Sequence, residues 1–425
     1  MRRVITILTS GTRGDIQPLV ALGLGLQLRG YAVRVLTHEP FRQMIAEHGL
    51  ELVPLDGNPN DLFSRPDLRA ALTYDGGLLR SARGTLDYLR AARPLFARML
   101  HSAWRGCQGS DALIVSLPTT WGDQIAEALG IPCVWALTQP LGRTAAFPSP
   151  LQPFDLSLGP AYNRLTHAIA EHVVWQPWRG ILQRWRRAAL GLPRRATVGW
   201  AARTAARGDL FLYGFSPRVV PRPADWPGRF HVTGYWFLDH TPAWQPAPDL
   251  LDFLAAEPPL YVGFGGAVAD LDERLLARVL RGLALAGRRA LLNIGPSGQH
   301  HNLPASIHQI DFAPHDWLFQ HIGAAVHHGG AGTVGATLRA GVPSICVPFG
   351  ADQFFWADRV AKLKCGPAPL PARRLTAERL AEAIDATTRE PTFKLSAARL
   401  SEQIGAEQGV ERAVALIHAH LDSSQ

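Results

Sequence analysis

Short apolar segments alternate with helix-like segments along both halves of the chain, and this alternation constrains the fold more than any other feature. Parallel strands need long crossover connections, which are usually helices. The pattern therefore predicts an α/β protein with a doubly wound parallel sheet in each half. The expected strands are 4–8, 32–37, 112–116 and 133–137 in the first half, and 260–264, 290–294, 324–327 and 344–347 in the second.

A proline-rich passage separates the two halves. Proline interrupts both helices and central strands, and nine prolines lie from 217 to 259. A chain of 425 residues is also too long for one compact core. We therefore predict an N-terminal domain over 1–215, an interdomain linker over 216–258, a C-terminal domain over 259–404, and a final helix over 405–425 that packs at the domain junction.

Composition and charge exclude several classes of protein. No run of about 18 apolar residues is present, so no transmembrane helix is expected. The first apolar run is too short for a signal peptide and fits a buried strand. The net charge of +8 comes from scattered arginines, which does not favour nucleic-acid binding. The four cysteines lack metal-site spacing and fit core thiols of a cytoplasmic protein.

One basic amphipathic segment, 178–195, permits two interpretations. Its tryptophans and leucines alternate with arginines at helical spacing. Such a helix could lie peripherally on the anionic inner face of a membrane. An ordinary helix that packs its tryptophans inward is the favoured interpretation, because solvated arginine faces are common.

A glycine-rich turn bearing two histidines follows the predicted strand 324–327. The turn, 327–333, reads HHGGAGT, and an acid-amide pair, Asp352 and Gln353, follows the next strand. Backbone N–H groups at a helix start bind diphosphates, and carboxylate and amide groups bind sugar hydroxyls. A dinucleotide fingerprint fails because its third glycine would fall at Val268, and no P-loop sequence is present. The pattern favours a sugar nucleotide.

These motifs resemble those of inverting GT-B glycosyltransferases, in particular the sterol 3-beta-glucosyltransferase branch and its bacterial relatives that act on macrolides. The resemblance rests on 326–360, on the N-terminal SGTRGDIQP of 10–18 and on 312–319. It implies two Rossmann-like domains that face each other across a cleft. The region from about 61 to 256 matches only loosely.

The resemblance also implies the donor site. His327 is expected to contact the diphosphate, Phe312 to stack on the base, and Asp352 with Gln353 to hold the sugar, while a role for His328 stays open. Two departures are Gly266 where relatives have Ser, and Gly335 where plant enzymes have Glu. The full set comprises Thr12, Arg13, Gly14, Gly265, Gly266, Phe312, Ala313, His315, His327, Gly329, Gly330, Ala331, Gly332, Thr333, Asp352 and Gln353.

Asp15 and His327 are the candidate catalytic residues. Inverting transfer needs a base for the acceptor hydroxyl and stabilisation of the departing diphosphate. Relatives often carry a His-Asp dyad, but Ser116 stands where its Asp would be, which implies that Asp15 acts alone. Asp is also a preferred helix cap, so Asp15 could serve as a cap, as a base, or as both.

The predicted reaction is transfer of glucose from UDP-glucose to a hydroxyl of a sterol, hopanoid, polyketide or lipid. His38, Trp121 and Phe147 are the candidate acceptor contacts. No cofactor and no metal are expected, and the protein is expected to be a monomer or a homodimer. Alternatives are a TDP-deoxysugar such as TDP-rhamnose as donor, a UDP-sugar epimerase, and a non-catalytic sugar-nucleotide-binding protein.

Overall fold

The first sheet has seven parallel strands. The computed structural model describes residues 2–63, 78–152, 156–195, 204, 207–240, 243–265, 273–293 and 303–423. The strands are β1 (Val4–Leu8), β2 (Ala32–Thr37), β3 (Glu51–Pro54), β4 (Ala112–Val115), β5 (Cys133–Leu137), β6 (Leu210–Tyr213) and β7 (Phe230–Val232), in the order β3-β2-β1-β4-β5-β6-β7. Its central strands are buried on both faces, which explains their nearly continuous apolar sequences.

The second sheet has five parallel strands. They are β8 (Leu260–Gly263), β9 (Ala290–Asn293), β10 (Ile307–Gln309), β11 (Ala324–His327) and β12 (Ser344–Cys346), in the order β10-β9-β8-β11-β12. Strand order reverses beside β1 in the first sheet and beside β8 in the second. Ligands bind outside the carboxyl ends of the strands at such switch points. The fold class predicted from the sequence is confirmed.

Helices connect the strands of both sheets. Those of the first half are α1 (Arg13–Leu28), α2 (Arg42–Glu47), α3 (Asn60–Phe63), α4 (Leu78–Gly106), α5 (Asp123–Leu129), α6 (Pro160–Trp175) and α7 (Arg179–Ala188). Those of the second half are α8 (Pro248–Leu254), α9 (Glu273–Ala286), α10 (His315–Leu318), α11 (Ala331–Ala340), α12 (Gln353–Lys362), α13 (Ala377–Arg389), α14 (Pro391–Gly405) and α15 (Gly409–Ser423).

The last helix returns to the N-terminal domain. Val410 and Val414 of α15 pack on Gly25 of α1, where a Cβ atom would come within 2.5 Å of the Val410 side chain. Tyr31 and His418 add a 2.7 Å hydrogen bond at the same contact. The preceding helix α14 packs on α11 of the second domain. The final helix therefore contacts the N-terminal domain through α1, and the helix before it contacts the C-terminal domain through α11.

The observed sheets contain four strands that the sequence prediction lacks, β3, β6, β7 and β10. Strand β7 lies inside 216–258, the region predicted as a linker, so the first sheet extends beyond residue 215. Helix α1 begins at Arg13, where Thr12 and Asp15 form a capping box. Trp185 of α7 is buried, so this tryptophan of the segment 178–195 packs inward.

Candidate active site

Asp15 lies at the start of α1, in the loop that follows β1. Its Oδ2 atom accepts hydrogen bonds from the Thr12 N–H at 2.8 Å and the Thr12 hydroxyl at 3.0 Å. Gly11 has a φ of +117°, and a Cβ atom there would lie 2.4 Å from the same oxygen. Asp15 therefore does cap the helix, and glycine at position 11 makes room for it.

The environment of Asp15 favours proton acceptance near neutral pH. Burial raises the pKa of Asp15 to about 6, while the Thr12 hydrogen bonds oppose the rise and the charge of Asp352 adds to it. Both Thr12 hydrogen bonds occupy Oδ2, which leaves Oδ1 for another partner. A carboxylate with such a pKa is ionised at pH 7 and more basic than an ordinary aspartate.

His327 ends strand β11 and points into the protein interior. Its side chain is fully buried, its Nδ1 accepts a 3.1 Å hydrogen bond from the Gly329 N–H, and its Nε2 lies 4.0 Å from Cys346 Sγ. Burial lowers the pKa of His327 well below its usual value, so the ring is neutral. Because the ring is fully buried and both its nitrogens contact protein atoms, this position does not support the predicted contact of His327 with a diphosphate.

His328 faces the glycine turns instead. Its ring lies against Gly265 and Gly330, where added Cβ atoms would come within 2.8 Å and 2.4 Å of it. Within the described part of the chain its buried Nδ1 has no hydrogen-bond partner. Burial lowers the pKa of His328 to about 4, so a neutral ring is present at pH 7. A buried, unpartnered nitrogen at a helix start is the more suitable donor to an anion.

The two helix starts face each other across the cleft. A Cβ atom on Gly332, in the first turn of α11, would lie 3.8 Å from Gly14 Cα in the first turn of α1. Ala331 and Thr333 belong to the same turn of α11. The predicted contact Gly266 lies outside the described residues. Both N-termini carry unpaired N–H groups and partial positive charge, so an anion between them is stabilised from both domains.

Asp352 joins the two domains. Its Oδ2 accepts hydrogen bonds from Gln139 Nε2 at 3.1 Å and from Trp356 Nε1 at 3.0 Å. Burial raises the pKa of Asp352. Gln139 follows β5 at the same sheet edge as Asp15. The sequence analysis did not select Gln139 as a site residue, although it lies just after a predicted strand. Neighbouring Gln353 uses its Oε1 atom to accept the Phe349 N–H at 2.8 Å.

Phe312 lies at the rim of the cleft and is 45% exposed. The guanidinium of Arg13, from the other domain, lies 4.2 Å from its ring centroid. Ala313 is buried. His315 stacks on Phe319 at 4.4 Å, and burial lowers the pKa of His315 to about 4, so this ring packs beneath the rim. An exposed aromatic face held near the diphosphate site suits a nucleobase.

The three candidate acceptor residues are all in the interior. His38 binds Ser10 Oγ at 2.7 Å and the Leu55 carbonyl at 2.8 Å, which occupies both ring nitrogens. Trp121 is 2% exposed and packs on other aromatic rings, since large apolar side chains are stabilised most in the core. Phe147 packs on Phe355 of the second domain. Their positions correct the prediction that these side chains line the acceptor site.

A small cavity of about 20 Å³ lies beside the loops that follow β4 and β5. One wall is helix α6, and the loop that carries Gln139 forms another part of the lining. The lining residues are Leu117, Thr120, Leu141, Ser149, Leu151, His167, Ala170, Glu171, Val174 and Trp175.

The two facing sheets, with polar groups at both switch points, have the architecture of a GT-B glycosyltransferase. Residues 5–148 match the model of the glycosyltransferase family 28 N-terminal domain, and residues 292–417 match that of the erythromycin biosynthesis protein CIII-like C-terminal domain. The N-terminal and C-terminal domains of this chain belong to these two glycosyltransferase domain families.

Curated relatives match nearly the whole length of this chain. The chain is 38% identical over 436 residues to a sterol 3-beta-glucosyltransferase of Emericella nidulans, a match that covers 98% of this chain and 30% of the relative. The chain thus spans about a third or less of the length of the curated relatives that it matches.

Two solved structures show the fold at lower identity. The glycosyltransferase of kitacinnamycin is 19% identical, with a TM-score of 0.69 and coverage of 99% of this chain and 100% of that chain. The glycosyltransferase VinC, solved with dTDP, is 20% identical, with a TM-score of 0.66 and coverage of 99% and 100%. Within the described residues, no helix is both long and apolar enough to cross a membrane.

Proposed function

We propose that this protein transfers glucose from UDP-glucose to a hydroxyl group of a lipophilic acceptor, with inversion at the sugar. One observation carries the proposal. Asp15, Asp352 and the unpartnered His328 meet where two helix N-termini face each other from separate domains. The glucosyl assignment is supported by the name of the fungal relatives and by the Asp-Gln pair.

Asp15 is the proposed general base. Its free Oδ1 takes the proton of the acceptor hydroxyl while the acceptor oxygen bonds to C1 of the sugar. The bond from C1 to the diphosphate oxygen breaks on the opposite face, and the electron pair leaves with UDP. Ser116, where relatives have the second member of a dyad, binds Thr9 at 3.0 Å instead. The raised pKa of Asp15 supplies the basicity that a dyad would otherwise provide.

Stabilisation of the diphosphate is assigned to His328 and the N-terminus of α11. The Nδ1 atom of His328 lacks a partner within the described structure, and a phosphate oxygen would give it one. The N–H groups of the first turn add hydrogen bonds and a favourable dipole. His327 supports this turn from below through its hydrogen bond to Gly329.

The sugar and acceptor occupy neighbouring parts of the cleft. Gln139 and Trp356 hold Oδ2 of Asp352, so its Oδ1 is available to accept a sugar hydroxyl. Gln353 uses Oε1 within its own loop, which leaves its amide N–H groups to donate. The small cavity beside the Gln139 loop is proposed as the start of the acceptor pocket.

The test is a donor and acceptor panel. UDP-glucose, TDP-glucose and TDP-rhamnose are each incubated with sterols, hopanoids and polyketide aglycones, and nucleoside diphosphate release and product mass are measured. The expected result is a β-linked glucoside formed from α-linked UDP-glucose, with anomeric configuration read by NMR coupling. If no donor is consumed with any acceptor, the enzyme proposal fails. If only the TDP sugars react, the nucleotide assignment is replaced.

Several finer properties are proposals on the same basis. They are independence of metal ions and cofactors, a cytoplasmic location with peripheral membrane contact, and a monomeric or homodimeric state. Chelation with EDTA is expected to leave product formation unchanged. Sedimentation velocity would identify the oligomeric state.

A further inference from the structure

Helix α6 exposes an apolar stripe to solvent. Leu165, Ile169 and Val173 are 55%, 51% and 59% exposed, and their spacing of four residues places them along one side of the helix. Leu158, just before the helix, is 68% exposed. Single exposed apolar side chains are ordinary, but an aligned set marks an interaction surface.

The other side of the same helix lines the proposed acceptor pocket. His167, Ala170, Glu171 and Val174 contribute to the wall of the cavity. Helix α6 therefore separates the proposed acceptor pocket from the exposed stripe. A molecule bound to the stripe would lie one helix diameter, about 10 Å, from the pocket.

The segment that carries the stripe is basic. Between 156 and 195 the only acidic residue is Glu171, which is buried and paired with Arg143 at 2.6 Å. The same segment has seven arginines, of which Arg164 pairs with Asp225, and Arg186 and Arg195 pair with Glu127. Because Trp185 packs inward, α7 directs Arg179, Arg184 and Arg187 to solvent.

We propose that the stripe, formed by Leu158, Leu165, Ile169 and Val173, docks on the surface of an anionic lipid bilayer. The apolar side chains enter the headgroup boundary while the exposed arginines of α7 contact lipid phosphates. The acceptor then reaches the pocket from the bilayer, a step that rests on the proposed function. A second copy of the chain fits this surface less well, because a symmetric contact would bring the same arginines together.

Vesicle co-sedimentation tests the docking surface. The full-length protein is mixed with vesicles of phosphatidylcholine alone or of phosphatidylcholine with phosphatidylglycerol, without donor or acceptor. Binding is expected only to the anionic vesicles, and to weaken as salt is raised. Substitution of Leu165, Ile169 and Val173 by Gln should reduce partitioning on the order of tenfold or more.

The matched control changes three leucines of similar exposure elsewhere. Leu251, Leu285 and Leu395, all in the C-terminal half, are 47%, 55% and 67% exposed, and their substitution by Gln should leave vesicle binding unchanged. Substitution of Arg179, Arg184 and Arg187 by Gln should weaken binding by about fivefold for each arginine. Near-UV circular dichroism checks that each variant is folded.

Two results would overturn the docking surface. The first is failure of the unaltered protein to sediment with anionic vesicles, or equal binding by the stripe variant and its control. The second is a dimer that the stripe substitutions dissociate, which would assign the surface to a second copy. A protein that binds vesicles but consumes no sugar nucleotide keeps the docking surface and loses the proposed function, so the two failures are distinguishable.

Discussion

The donor side and the acceptor side of the cleft are built in different ways. The donor side is made of tight turns, in which Gly265 and Gly330 leave room for the His328 ring. The proposed acceptor cavity is lined by side chains from separate elements, such as Leu141 and Ala170. Backbone geometry tolerates few substitutions, whereas a lining of side chains can change without disturbing the fold. Substitutions on the donor side should therefore impair catalysis more often, whereas substitutions on the acceptor side can change acceptor choice without disturbing the fold.

The largest effect is expected at Asp15, where the two halves meet. Asp15→Asn keeps an oxygen that can accept the Thr12 hydrogen bonds but cannot take a proton. We expect kcat to fall by about 10²–10⁴-fold while donor affinity is retained. Asp249→Asn, on an exposed side chain, is the control. Steady-state kinetics measures both, and unchanged turnover of Asp15→Asn would remove Asp15 as the base.

The pH profile tests the same carboxyl group. Because the pKa of Asp15 is raised to about 6, the group is a neutral acid below that pH and a carboxylate above it. The base requires the carboxylate, so kcat/KM should rise with pH through about 6 and then level. His328, with a pKa of about 4, stays neutral over this range, so its titration does not alter the pH profile of kcat/KM. A profile without a rise near 6 would contradict the assignment.

The next largest effect separates the two adjacent histidines. His328→Ala should lower kcat by about 10²-fold with little change in stability, because it removes a donor to the leaving group. His327→Ala should instead lower the free energy of unfolding by about 2–5 kcal/mol, because it empties a buried site and frees the Gly329 N–H. Thermal melts and kinetics on both variants decide between them. If His327→Ala is stable and lowers kcat more than His328→Ala does, His327 would be the residue that contacts the diphosphate.

This contrast shows what the sequence can and cannot predict. The motif placed both histidines at a phosphate turn, but neighbouring residues leave a strand on opposite sides. Because β11 is buried on both faces, hydrophobic patterning does not reveal which ring faces the cleft. The packing of Gly265 and Gly330 against His328 reveals it, and that packing joins segments far apart in the chain.

The acceptor side was less predictable for a related reason. Trp121, chosen because aromatic rings suit a flat ligand, serves the core instead. Gln139, a single amide after a strand, carried no motif that would identify it as the partner of Asp352. Longer strands such as β2 were predicted to the residue, whereas three-residue β7 and β10 are too short to show an alternating pattern.

A smaller effect is expected from filling the acceptor cavity. Ala170→Phe adds a ring to the wall formed by α6 and should raise the acceptor KM by about tenfold, while hydrolysis of the donor by water stays unchanged. Ala161→Phe, on an exposed turn of the same helix, is the matched control. Equal acceptor kinetics for the two variants would show that this cavity does not receive the acceptor.

The smallest effect is expected at Phe312, because a competing contact offsets its contribution. A nucleobase that stacks on this ring gains about 1–3 kcal/mol, but it must first displace the guanidinium of Arg13, whose contact at such an exposed site is worth about 0.5–1 kcal/mol. Phe312→Leu should therefore weaken UDP binding only several-fold, measured by calorimetry. Phe253→Leu is the matched control, since Phe253 carries Arg289 at 4.0 Å from its ring centroid. Equal UDP affinity in the two variants would remove Phe312 from the donor site, and a larger loss in Phe312→Leu would mean that Arg13 stays and clamps the base.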